Sequence, residues 1–148
     1  MRRILCVDTI YPAFLKSIGM DTPSTSNDEC SYTSELARLM SHRFGTNDVY
    51  SQTFNRLGWR AEDVIVNSEH LQALWAIEHG SKLRRLPKVF TPAIIARLPI
   101  ARELSRKMPT MQGLFLQQVK TMQPDVVYFQ DLNFADPSFV KEIKRYSK

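Results

Sequence analysis

Two short apolar runs in this chain each end in an aspartate. Arg3-Ile4-Leu5-Cys6-Val7 leads into Asp8, and Val126-Val127-Tyr128-Phe129-Gln130 leads into Asp131. Runs this short, unbroken by polar alternation, suit parallel strands buried on both faces by helices. In an open sheet of that kind the ligand crevice lies beyond the carboxyl ends of the strands, where both acids would sit. The pattern therefore places a candidate site before it says anything about chemistry.

Between these runs the apolar spacing turns helical. Leu36, Leu39, Met40 and Phe44 recur at helical intervals and Gly45 ends the pattern. A second helix is predicted from Thr46 or Asn47, with Asp48 in its first turn, Val49, Tyr50, Phe54 and Leu57 as its apolar face, and Gly58 as its stop. Asp63-Val64-Ile65-Val66-Asn67 reads as a second strand, and Ser68 caps a third helix through Leu71 and Trp75 to Gly80. Thr91-Pro92 starts a further helix and Pro99 breaks it into two short pieces. Thr110 opens a helix with Met111, Leu114, Phe115, Val119 and Met122 on one face, and Asp136-Pro137 opens the last. Asp8 to Phe14 reads as a turn with exposed aromatics, and Asp21 to Ser31 as a polar loop.

The fold class that follows is α/β: a three-layer α/β/α Rossmann-like domain with helices on both faces of a short parallel sheet. The crossovers are right-handed, and the expected strand order is 2-1-3: strand two lies on one side of strand one, and where strand three pairs on the other the winding reverses between the loops that carry Asp8 and Asp131. At 148 residues the chain is one domain, 1–148, with a helical basic insertion at about 81–109.

Charge is concentrated in that insertion. From Lys82 to Lys107 there are eight basic residues against Glu103 alone, and the other 12 basic and 14 acidic residues are near balance. Lys82, Arg84, Arg85, Lys88 and Arg97 form a candidate membrane-surface patch beside the short apolar stretch Ala93 to Leu98. The bland alternative is a solvated surface. Nucleic acid fits less well, because the patch lacks interleaved aromatics apart from Phe90.

No apolar stretch approaches the roughly 18 residues of a membrane span, and the start is too short for a secretory signal. The chain reads as cytoplasmic, peripheral at the inner membrane face where the basic patch engages lipid. Cys6 and Cys30 read as plain thiols, and His42, His70 and His79 lack ligand partners at metal spacing, so no metal is expected.

The residues also resemble a known family. Pro124-Asp125-Val126-Val127-Tyr128-Phe129-Gln130-Asp131 looks like the K-P-D-V-V-x-x-x-D strand and loop of glycosyltransferases built from two Rossmann-like halves, the GT-B architecture. Arg3 to Asp8 resembles their first strand, and Gly58-Trp59-Arg60-Ala61-Glu62-Asp63-Val64-Ile65-Val66 their turn into strand two. Asp8-Thr9 with Tyr11-Pro12-Ala13-Phe14, then Phe44-Gly45-Thr46, is similar to a bacterial family-1-like and spore-maturation-like subgroup.

The resemblance implies the amino-terminal, acceptor-side half of such an enzyme, inactive alone. The carboxy-terminal half that grips the nucleotide-sugar donor would be its partner, so no cofactor is expected here. The acceptor would be a sugar or a lipid-linked molecule. The glycine-rich loop common after strand one is replaced by Asp8-Thr9-Ile10-Tyr11-Pro12.

Asp8 and Asp131 are the candidate catalytic residues, since a carboxylate can accept hydroxyl hydrogen bonds and partial burial raises its pKa toward a useful range. Their plain alternative is loop capping through backbone amides. Thr9, Tyr11, Asn67, Gln130 and Asn133 are candidate substrate-binding residues, with local turn formation as the competing role for the two asparagines. The rival reading is a non-catalytic Rossmann-like binding or signalling module. A phospho-receiver would need an acidic pair where only Asp8 closes strand one. A free sheet edge at the carboxyl end could pair with a second copy.

Overall fold

A computed structural model of the chain describes residues 1–22, 30–80, 111–132 and 135–147. The basic segment Lys82 to Lys107, the helices predicted around Pro92 and Pro99, and Asn133 lie outside the described residues. The described elements run β1 (Arg3–Asp8), α1 (Pro12–Ser17), α2 (Tyr32–Ser41), α3 (Val49–Arg56), β2 (Arg60–Ile65) and α4 (Glu69–Glu78), then α5 (Met111–Met122), β3 (Val126–Phe129) and α6 (Pro137–Ile143). The three strands are parallel and ordered β2-β1-β3, the order expected from the sequence. None of the described helices is long and apolar enough to cross a membrane.

Register follows from alternation within the apolar runs. Leu5 and Val7 of β1 point to one face with Val64, where Phe115, Leu116 and Val119 of α5 and Phe139 and Ile143 of α6 cover them. Ile4 and Cys6 point to the other, with Ala61, and meet Tyr50 and Phe54 of α3, Trp59 and Tyr128. A third cluster, including Ile10, Leu15, Leu39, Ile65 and Leu71, packs α1, α2 and α4 around the carboxyl end of β2. Asp125 pins β3 to β1, its Oδ2 accepting the Arg3 backbone N–H at 2.7 Å.

Side-chain caps open three of the described helices, α2, α4 and α6. Ser31 Oγ accepts from Ser34 N at 3.1 Å, Ser68 Oγ from Leu71 N at 3.3 Å, and Asp136 Oδ1 from Ser138 N and Phe139 N. Pro12 and Pro137 sit in the first turns of α1 and α6, where a missing N–H costs nothing.

Four local expectations are corrected. Residues 12–17 form helix α1, not a turn, because Leu15 supplies a buried anchor and Pro12 starts the helix. Strand β2 begins at Arg60, three residues earlier than its apolar core suggested, and Val66-Asn67 is the turn beyond it. Helix α2 stops at Ser41, and Phe44 packs from the following loop.

Helix α3 starts after Asp48, since Asn47 adopts φ +44° and its Nδ2 donates to Met40 O at 3.0 Å. That shift turns Val49 and Leu57 outward, 58% and 69% exposed, and leaves Tyr50 and Phe54 as the packing residues. Gly58 ends α3 with φ +82°, a conformation open to glycine at little cost.

One polar side chain on the covered face is out of place. Gln118 of α5 is buried, and neither amide atom has a hydrogen-bond partner among the described residues. An unpaired buried amide costs about 1–3 kcal/mol. Gln118→Leu should therefore raise stability by about 1 kcal/mol, read as a higher urea midpoint at unchanged slope. A midpoint that falls would show that the amide has a partner worth keeping.

Candidate functional site

The carboxyl ends of β1 and β3 carry Asp8 and Asp131 to one rim of the sheet, and Thr9 joins them. The Thr9 backbone N–H donates to Asp8 Oδ1 at 2.8 Å, while its hydroxyl donates to Asp131 Oδ2 at 2.7 Å. One residue thus holds two carboxylates across the point where the sheet winds in opposite directions. Adjacency of β1 and β3 makes this possible; residues 122 apart in sequence meet only because the strands are neighbours.

A second polar bridge closes the other side. The Thr46 hydroxyl, in the loop before α3, donates to Gln130 Oε1 at 2.6 Å and lies 3.4 Å from Asp8 Oδ2. Gln130 is fixed at its own backbone, where its N–H donates to Val7 O at 2.8 Å. Its Nε2 is buried and has no hydrogen-bond partner among the described residues. Asp8, Thr9, Thr46, Gln130 and Asp131 therefore form a polar floor drawn from three separate segments.

Burial raises the Asp8 pKa above its ordinary value. The Thr9 N–H and the Thr46 hydroxyl oppose that shift, and the negative charge of Asp131 adds to it. A carboxylate raised in this way, beside a second acid, is suited to an acid or base role.

Asn67, at the end of β2, is spent on the backbone: its Oδ1 accepts from Ile10 N at 2.9 Å and its Nδ2 donates to Ile10 O at 2.6 Å. It ties the β2 loop to the loop after Asp8 and so shapes the rim. Tyr11 stands 73% exposed next to Thr9. Its ring meets Phe44 edge-on at 5.9 Å, and Phe44 stacks on Phe14 at 4.2 Å.

Thr46 is the site residue that residue-by-residue reading missed, because a threonine before a helix is most simply a cap. The available signal was its place in Phe44-Gly45-Thr46, one of the segments that carries the family resemblance.

Farther down the sheet, Asp63 faces α3. Burial pushes its carboxyl up to about 6; the Ser51 hydroxyl bonded to it opposes the shift, and the charges of Asp48 and Asp8 add to it. An unfolded aspartate titrates near about 3.9. Because the folded value is the higher one, stability falls as pH rises from about 4 through about 6 and the buried group must ionise. Asp63→Asn, which can still accept from Ser51, should be more stable than the parent by about 1–2 kcal/mol at pH 7. The gap should close below about pH 4. Urea titrations of both proteins at the two pH values check this, and a gap independent of pH would refute it.

Both cysteines are free thiols; Cys6 is buried, and burial pushes its pKa up to about 12. His70 Nε2 sits 3.0 Å from Glu35 Oε2, linking α4 to α2. No group of three or more metal-ligating side chains occurs among the described residues. Comparison with family models, with curated proteins and with solved structures returns no match.

Proposed function

We propose that this chain is the acceptor-side domain of a glycosyltransferase, moving a sugar from a nucleotide-sugar held by a second, carboxy-terminal Rossmann-like half. The observation that carries the reading is the Thr9 clamp, which sets Asp8 and Asp131 side by side at the reversal of the sheet. Open α/β sheets bind their ligands at that point.

In this reading Asp8 is the general base. It takes the proton of the acceptor hydroxyl as that oxygen bonds to the anomeric carbon and the bond to the nucleoside diphosphate breaks. Its raised pKa suits the task, because a base works best when its pKa approaches the working pH. Asp131 adds to the effect of burial in raising the Asp8 pKa and accepts a second hydroxyl that orients the acceptor. Thr46 and Gln130 align Asp8. The facing donor half excludes water and fixes the approach of the two reactants. The basic segment Lys82 to Lys107 would hold the enzyme at anionic lipid.

The test is nucleotide release from a panel of UDP-, GDP- and TDP-sugars by the protein carrying both halves, with saccharides and isoprenyl phosphates as acceptors. Acceptor-dependent release supports the reading. No release with any donor, together with phosphorylation of Asp8 by acetyl phosphate, would replace it with the non-catalytic signalling module.

A further inference from the structure

We infer that the chain carries a separate small-molecule site, at the end of the sheet opposite the Asp8–Asp131 rim, and that it takes a small monocarboxylate with an apolar body and a hydroxyl group. A cleft of about 290 Å³ opens between α4 and α5 over β1 and β2, with Arg3, Leu5, Arg60, Val64, Trp75 and Gln118 among its walls. Asp8 closes the strand that Arg3 begins, so the length of β1 separates the two places. Small-molecule sites span about 300–1,000 Å³, which puts the occupant at the small end.

The observation that points to a ligand is Gln118. Its side chain lines the cleft from α5, is 3% exposed, and has no hydrogen-bond partner at either amide atom among the described residues. Buried amides are nearly always paired, so this one calls for a partner from outside the chain. A hydroxyl is the smallest group that serves both atoms, donating to Oε1 and accepting from Nε2. Both atoms are closed off from solvent, so binding includes a rotation of this side chain toward the cleft, a change of the kind common when complexes form.

The mouth sets the other end of the ligand. Arg3 and Arg60 are partners in register across β1 and β2, so their side chains leave the same face of the sheet side by side. Glu62 offsets one of them, its Oε1 lying 3.0 Å from Arg60 Nη2. The Asp63 carboxylate belongs to the opposite face, bonded to Ser51 of α3, and His79 at the cleft can add only positive charge. Arg3 is held in place by a bond from Nη1 to Met122 O at 2.9 Å. Like charges side by side on one sheet face repel, and an excess of one positive charge suits a monoanion. A guanidinium takes a carboxylate through parallel hydrogen bonds. The buried side chains of Leu5, Val64 and Trp75 complete the walls and suit an apolar body.

The experiment titrates the 148-residue chain, labelled with nitrogen-15, with para-hydroxybenzoate, meta-hydroxybenzoate and ω-hydroxyhexanoate, and separately with benzoate, hexanoate, para-hydroxybenzyl alcohol and inorganic phosphate. At least one hydroxy acid should shift the side-chain amide signals of Gln118 together with the backbone amides of Leu5, Val64 and Trp75, while those of Thr9 and Gln130 stay in place. The analogues that lack the hydroxyl or the carboxylate should each bind about five- to tenfold more weakly. Gln118→Leu leaves the mouth intact, so a hydroxy acid and its deoxy analogue should bind that variant alike. Arg3→Gln, at an exposed position, should weaken every carboxylate in the panel by about tenfold.

The inference is overturned by a chain that responds to no hydroxy acid, by a response to phosphate alone, by a deoxy acid that binds as tightly as its hydroxylated counterpart, or by a Gln118→Leu chain that still prefers the hydroxy acid. None of these results bears on nucleotide release at the other end of the sheet, so the transferase reading stands or falls separately.

Discussion

On the proposed reading, Asp8→Asn should lower the kcat of acceptor-dependent nucleotide release by about 10²–10⁴-fold with KM little changed, the effect of deleting a general base. The substitution keeps the size of the side chain and its capacity to accept from Thr9 N, so the loop survives while the proton acceptor is lost. Asp131→Asn behaves differently. It removes the negative charge that helps raise the Asp8 pKa, so the acid limb of the pH–rate profile moves to lower pH. It also weakens acceptor binding, and KM rises. Nucleotide release measured from pH 4 to 9 separates the two variants. An Asp8→Asn enzyme that retains its rate to within about twofold would end the assignment of Asp8 as base.

Phe115→Ala should cost about 3–5 kcal/mol, the largest single loss of stability in the domain. Phe115 is fully buried where α5 covers β1 and β3, with the Phe129 ring at 6.0 Å and the Phe139 ring at 6.2 Å. Truncation leaves a cavity that three elements line and none can fill without giving up contacts elsewhere. Against a total of about 5–15 kcal/mol for a typical domain, such a loss brings the chain close to unfolding at ambient temperature. Urea denaturation should show a lower midpoint at an unchanged slope. A loss below about 1 kcal/mol would mean that α5 repacks freely on the sheet.

The same packing explains why some elements could be read from the chain and others could not. β1 announces itself because residues buried on both faces must all be apolar, and β3, a half-buried edge strand, was legible from its short run of β-branched and aromatic residues. Helix α5 is legible because Phe115, Val119 and Met122 recur at its period and face one sheet. Helix α1 was hidden: six residues give too little periodicity, and Leu15 alone marks its buried side. The face of α3 was misjudged only at its ends: Tyr50 and Phe54 pack as expected, while Val49, its first residue, and Leu57, the cap after its last, stand in solvent. Asn47, with its positive φ and its bond to Met40, sets the start of the helix, and nothing local to Thr46-Asn47-Asp48 signals it.

The site divides along the same line. Asp8 and Asp131 were marked by their positions after apolar runs, and the expected strand order 2-1-3 is the one observed. The chain alone thus determines which residues stand at the carboxyl ends of the strands, because burial dictates composition, while the side of β1 on which β3 pairs belongs to the folded structure. Only the folded structure decides what those residues touch. That Thr9 clasps both acids, that Thr46 reaches Gln130 across 84 positions, and that Asn67 is consumed by Ile10 depend on distances of a few tenths of an ångström between segments far apart in sequence. Hydrogen bonds reward such distances steeply, and no pattern along one strand or helix encodes them.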